Sequence, residues 1–295
     1  MPLRIPNRDA RRLWLAQNLL AEAPMGPADL PALIGRLGLV QLDSIPVVAR
    51  AHDHILWSRC QSYRPAMLDR LLDRREVFEH FTHDASILPI SLFPLWTRQF
   101  RRRREGMERS DWWRRQLPPP AELAALRDRI AADGPLSSAD FDSGSARPTE
   151  MWHRPAHKAG LDFLWHAGEL ATHSRPAFRK VYDLTERVIP EEWRQAEVPD
   201  ADQVAGLCAG ALDRLGVATQ GEVQRFWAAC DPAEVKAWLA GSGAVPVEVE
   251  GADGTWRTAY AAPDIEARLA AAPAPTSPLR ILNPFDPAVR APPRL

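Results

Sequence analysis

The chain has 295 residues, 45% of them hydrophobic and 25% charged, which suits two or three compact units and excludes wholesale disorder. No apolar run approaches the roughly 18 to 20 residues of a membrane helix, and the start MPLRIPNRDARRLW has no signal-peptide core, so a cytoplasmic protein is expected. The net charge of −1 hides an asymmetry: residues 1 to 115 carry 19 Arg against 13 acidic residues (+6), and the remainder carries 18 basic against 25 acidic residues (−7).

In chain order, RRLWLAQNLLAEA repeats apolar residues at threes and fours, as an amphipathic helix does. PADLPALIGRLG follows a Gly-Pro break and predicts a second helix, with Pro31 near its start and Gly38 as its stop. LVQLDS is then expected to be extended. IPVVARAHDHILWSR continues as helix, with Val47, Val48 and Ala51 free to face the core and Arg50 and His54 on one face. RPAMLDRLLDRREVFEHF and PISLFPLWTRQFRRRREG predict two more helices, and PPP at 118–120 closes a first section, residues 1–119. Arg101, Arg102, Arg103 and Arg104 stand near Trp112 and Trp113. Such a block suits a phosphate backbone, and equally a solvated helix face.

A second section, residues 120–195, opens on AELAALRDRIAADGPLSSADF: a helix, a Gly-Pro turn and a short helix begun by Ser137 or Ser138. RPAHKAGLDFLWHAGELATHS is a helix ending near Gly168, and RKVYDL a strand. A third section, residues 196–272, reads as helices DQVAGLCAGALDRLG, VATQGEVQRFWA and DPAEVKAWLAGSG, then a hairpin turning at Gly251 to Gly254. Three helices followed by a hairpin is the order of a winged helix, a helix-turn-helix variant. The expected fold is therefore mainly α with small β-hairpin wings, in tandem winged-helix units. Residues 273–295 are a Pro-rich linker with a short apolar run, LRILNPF, for which no partners follow in the chain.

The polar residues within LVQLDSIPVVARAHDHILWSR carry the chemistry. In an extended segment Gln41 and Asp43 point the same way, with Leu42 turned into the core. An amide beside a carboxylate can hold and activate a water, and the carboxylate can stabilise a developing cation. The bland alternative is that Asp43 or Ser44 caps a helix starting near Ile45, with Pro46 in its first turn. The pairs His52/His54, His80/His83 and His153/His157 have spacings that metal ligands can have. No H-E-x-x-H and no completing carboxylate accompanies them, so hydrogen-bonded or DNA-facing histidines are expected rather than a metal-dependent hydrolase. Cys60, Cys208 and Cys230 show no C-x-x-C spacing and are read as buried thiols. Neither phosphate-binding glycine motif is present, nor is G-x-S-x-G.

LGLVQLDSIPVVARAHDHILWSR resembles the signature of the AlkZ/YcaQ-like winged-helix DNA glycosylases, with Gln41-Leu42-Asp43 as the Q-x-D form of their motif. FEHFTHDASILPISLFPLW, WHRPAHKAGLDFLWHAGEL, RKVYDLTERVIPEEW, LGVATQGEV and LRILNPFDPAVR resemble further blocks of that family, in the family's order. The resemblance implies three winged-helix units and a C-terminal β-barrel around duplex DNA, with residues 273–295 holding only the truncated start of the barrel. It implies hydrolysis of the glycosidic bond of N7-alkylated guanine, as monoadducts or interstrand crosslinks, with Gln41 and Asp43 catalytic. Arg50, His52, His54, Arg59, the arginines 101 to 104 and Lys158 would hold DNA. The implied protein is a monomer of the bacterial cytoplasm, nucleoid-associated when acting, whose partner is double-stranded DNA and which needs no metal or cofactor. The alternative is a non-catalytic winged-helix DNA-binding or regulatory protein that lost its activity with the barrel.

Overall fold

The computed structural model describes residues 1–24, 29–141, 155–276 and 279–290. The chain is mainly helical with small sheets, as expected from the sequence. Contacts group it into two compact units. One comprises Met1–Met67, Thr82–Leu88 and Pro199–Leu295; the other comprises Leu68–Phe81 and Pro89–Val198. Among the described residues no helix is long and apolar enough to cross a membrane.

In the first unit the expected winged-helix order is present. Helices Asp200–Leu215, Gln220–Trp227 and Pro232–Gly241 precede the hairpin Val245–Glu250 and Trp256–Ala261. Local chemistry fixes these boundaries. Thr219 and Glu222 cap the second helix reciprocally, Asp231 and Glu234 the third. Strand Leu3–Ile5, which the sequence did not suggest, lies parallel to Val245–Glu250 and extends the wing to four strands, with Val217–Ala218 at the other edge. Ile5, Leu13, Val217, Val247, Ala259, Ala261 and Ile265 form one core cluster there.

Helix Leu30–Leu37 begins where the Asp29 carboxylate accepts the Ala32 N–H, and it stops at Gly38. That stop has two causes. Gly38 has φ +83°, and a Cβ on it would lie 2.6 Å from Nε of Arg214 and 2.7 Å from the Trp227 ring. Arg214 itself donates to the carbonyls of Gly35 (2.6 Å) and Gly210 (2.8 Å). The helix end is thereby fastened to helix Asp200–Leu215, and the chain leaves it directly into strand Val40–Gln41.

In the second unit, helices Thr97–Arg109, Pro120–Asp133 and Ala156–His166 precede the hairpin Leu170–Ser174 and Val181–Leu184, with Leu136–Ser137 paired to its second strand. Two expectations change. RPAMLDRLLDRREVFEHF is not one helix: it is helix Pro65–Asp73, then strand Val77–Phe81. Arg75 turns between them at φ +61° and donates to the carbonyls of Leu72 (3.0 Å) and His173 (2.8 Å), and Val-Phe-Glu-His-Phe then follows its β preference. In PISLFPLW, Pro94 allows only a 3-10 segment, Ile90–Leu95, before the α-helix starts at Thr97.

The centre of this unit is polar, with Glu79 and His80 both matched. The Glu79 side chain is fully enclosed and takes a fork from Arg175 (2.6 and 2.7 Å), with Lys180 at 3.3 Å. Burial alone would raise the Glu79 carboxyl; Lys180 and Arg175 instead hold it down at about 2. His80 accepts from the Trp96 indole at 2.8 Å and faces the Trp165 carbonyl at 3.2 Å. Burial, helped by the Arg103 charge, pushes His80 from 6.5 down to about 3. A depressed histidine favours the fold above its unfolded value and loses that contribution as pH falls from 6.5 towards 3. Between pH 7 and pH 4 the wild type should lose on the order of 3 kcal/mol of unfolding free energy to this residue. Urea titrations at both pH values check it: His80→Gln should show a correspondingly smaller drop.

Candidate active site around Gln41 and Asp43

Val40 and Gln41 pair antiparallel with Ile87 and Ser86, and the Leu42 N–H still bonds the Ala85 carbonyl at 2.8 Å. The chain then turns at Asp43. Its Oδ1 accepts the N–H of Ile45 at 3.0 Å, and its own N–H points to His52 Nδ1 at 3.4 Å. The helix expected from Ile45 does not form there. It runs from Ala51 to Trp57, with Arg50 in the N-cap position. The Asp43 carboxylate closes a two-residue Asx turn instead of reaching into a first helical turn, and Pro46 with the β-branched Val47 and Val48 gives no helix to continue. Val47 and Val48, expected to face the core, are 87% and 99% exposed.

His52 is 5% exposed. As an acceptor at Nδ1 it carries its proton on Nε2, 3.9 Å from the Asp53 carboxylate, which in turn accepts the Tyr63 hydroxyl at 2.8 Å. His52 is thus a brace beneath the Asp43 turn rather than a surface contact. Asp43 itself is half-buried, and among the described residues nothing donates to its second oxygen. Gln41 is 3% exposed, and its buried side-chain oxygen accepts no hydrogen bond from the protein. An unmatched buried amide costs about 1–3 kcal/mol, and such exceptions are kept where a site needs them. The motif thus keeps two unused acceptors two residues apart, the Asp43 carboxylate partly exposed and the Gln41 oxygen enclosed.

The remaining expected DNA contacts fall into three situations. Arg50, at the N-cap of helix Ala51–Trp57, and His54, in its last turn, are half-buried. Arg59 is the clear correction, because its guanidinium is completely enclosed. It forks onto Asp286, itself fully enclosed, at 2.5 and 2.9 Å, and also donates to the carbonyls of Asn18 (3.0 Å) and Ile55 (3.2 Å) and to the Ser58 hydroxyl (2.9 Å). A guanidinium so enclosed cannot reach a phosphate. Asp286 belongs to the NPFDP segment, for which the sequence offered no partner. Leu282 and Ala288 of that segment pack with Trp14 and Leu20, while Leu279 and Ile281 stay exposed. Nothing local in the sequence marks Asp286 as a partner of Arg59.

In the second unit, Arg101 is exposed and Arg102, Arg103 and Arg104 are half-buried on helix Thr97–Arg109. Arg103 stacks 4.3 Å over the Phe81 ring, and Arg104 pairs with Glu169. Lys158 is half-buried in the first turn of helix Ala156–His166. Of the histidine pairs, His80 bonds Trp96 and Trp165, His83 faces the Phe226 carbonyl at 3.3 Å, and His153 lies outside the described residues. Among the described residues no three His, Cys, Asp or Glu side chains gather as metal ligands do.

A family model described as DNA glycosylase AlkZ-like matches residues 34–294, from before Gln41 to beyond Asp286. The chain belongs to that family. The AlkZ-like family is one of DNA glycosylases, so the reaction class is hydrolysis of an N-glycosyl bond in DNA. The solved structure of DNA glycosylase AlkZ from Streptomyces sahachiroi is similar, with a TM-score of 0.69 and 15% identity, over 97% of this chain and 77% of that one. At that identity the likeness is one of fold.

Asp286→Ala would leave the Arg59 guanidinium buried without its carboxylate. The unfolding free energy should fall by about 3–5 kcal/mol, read as a shift of the urea midpoint. A shift worth less than about 1 kcal/mol would mean that the pair does not hold the segment.

Proposed function

We propose that this AlkZ-like chain removes N7-alkylated guanine from duplex DNA, with Asp43 and Gln41 as its catalytic residues. The observation that carries the reading is the buried, unmatched side-chain oxygen of Gln41 in the same motif as the half-buried Asp43 carboxylate. Alkylation at N7 gives the base a positive charge, so it already leaves well and needs no strong acid. The C1′–N9 electron pair passes to the base and neutralises it, while positive charge develops on the sugar. The Asp43 carboxylate stabilises that cation and takes the proton of the water that adds to C1′. The Gln41 carbonyl accepts the water's other hydrogen and aims its oxygen.

The DNA contacts fit the side chains that reach solvent. Arg101 is exposed, and Arg50, His54, Arg102, Arg103, Arg104 and Lys158 are partly so. His52 and Arg59 act behind them as positioning residues. The protein acts alone, as a monomer in the cytoplasm, on monoadducts or crosslinks.

Release of 7-methylguanine from alkylated duplex DNA tests this. The wild type should release the base, and Asp43→Asn should slow the single-turnover rate by roughly 100-fold or more while leaving DNA affinity within a few-fold. DNA binding without release by the wild type would make the chain a binding protein that keeps the motif without the activity.

A further inference from the structure

Between Asp43 and Arg50 the chain presents six consecutive exposed residues, Ser44 to Ala49. Three of them are large and branched: Ile45 is 64% exposed, Val47 87% and Val48 99%. Solitary surface aliphatics need no explanation, but three within four positions on one loop form a patch that water does not favour. The loop's root is firm. It springs from strand Val40–Gln41 and returns into helix Ala51–Trp57, whose Ala51, His52, Ile55 and Leu56 are buried. The Asp43–His52 and Asp43–Ile45 hydrogen bonds close its base, and Pro46 restricts its path. Valine and isoleucine have few side-chain rotamers, so the tip is stiff in its side chains as well.

We propose that Ile45, Val47 and Val48 are a wedge that enters the base stack of duplex DNA beside the damaged nucleotide. The wedge rests on the proposed function in two respects, that damaged duplex is the substrate and that its reacting sugar comes to Asp43. Position decides what the apolar tip meets. Ile45 is two residues from Asp43 and bonded to its carboxylate, so whatever brings a sugar carbon to Asp43 brings the flanking bases to the loop. Stacked bases offer an apolar, flat-walled slot once a step is opened, and aliphatic side chains of this kind unstack and kink duplexes where they insert. Opening the step exposes C1′ to the Asp43 water without complete extrusion of the base. Arg50, at the end of the loop, adds a positive charge next to the backbone that the kink brings close.

The test uses the full chain, a duplex carrying one 7-methylguanine and a neighbouring 2-aminopurine, whose fluorescence rises on unstacking. The probe variant is Ile45→Ser/Val47→Ser/Val48→Ser. Its residues are exposed, so its melting temperature should match the wild type. The wild type should brighten 2-aminopurine several-fold on binding, and the variant should not. Base release by the variant should fall roughly 10- to 100-fold on intact duplex, but less than about 3-fold where the lesion lies opposite a gap and is already unstacked. Val48→Ser, at the most exposed position, should move both readouts the same way by less, and decides the matter if the triple variant misfolds. The wedge is refuted if the wild type does not brighten the probe, if the variant brightens it equally, or if the variant loses both substrates to the same degree. The last result would fit a loop that contacts a protein or only stabilises the site. If the wild type opens the stack but releases no base, the proposed chemistry fails and the wedge stands.

Discussion

The Arg59–Asp286 pair is shut away from water on every side, and the geometry around Asp43 depends on it. An arginine buried this completely is tolerable only when its donors are matched. Here the matches go to the last turn of helix Ala51–Trp57, through Ile55 and Ser58, to the end of the first helix through Asn18, and to the carboxylate of Asp286. Arg280, from the same late segment, adds bonds to the carbonyls of Ser58 (3.2 Å) and Glu22. The helix is two turns long, so fixing its last turn fixes its first, where His52 supports the Asp43 backbone. A charge pair that never meets substrate thus sets the position of a carboxylate at the candidate site.

In the proposed reaction the leaving group is already activated, and that rigidity suits it. When the base departs as a neutral molecule, the enzyme has only to oppose charge on the sugar and deliver a water. Both tasks reward fixed dipoles over flexible acids. In that proposal the unmatched amide oxygen of Gln41 is an acceptor fixed in place before any water arrives. The same economy of motion is visible in His52, whose tautomer is set by the bond it makes.

Much of this architecture was legible in the sequence where it rests on nearby residues. The stop at Gly38, the turn at Gly251 to Gly254 and the alternation of VPVEVE all act within a few positions, and each appears where its chemistry placed it. Failures occurred where a distant partner outweighed the local preference. The helix before Val77–Phe81 stops at a turn where Arg75 bonds the His173 carbonyl 98 residues away. Leu3–Ile5 is a strand because Val245–Glu250 lies beside it. Arg59 read as a DNA contact because its carboxylate lies 227 positions further on. Within the motif, Q-x-D pointed to paired chemistry, but the turn that exposes Ile45, Val47 and Val48 depends on one side chain, Asp43, choosing a near N–H over a far one.

The parallel pairing of Leu3–Ile5 with Val245–Glu250 has a consequence for how the molecule is made. Arg4 meets Glu248 at 2.7 Å, and the Asn7 N–H bonds the Glu250 carboxylate at 2.9 Å, so the first strand stays unmatched until some 240 residues have been added behind it. A ribosome releases the chain from its amino end, and contacts of such separation form slowly. The unit built from Leu68–Phe81 and Pro89–Val198 holds all of its own segments well before that moment, whereas the unit carrying Asp43 also needs residues from Pro199 onward. Asp43 therefore gains its finished surroundings only after the other unit has all of its residues.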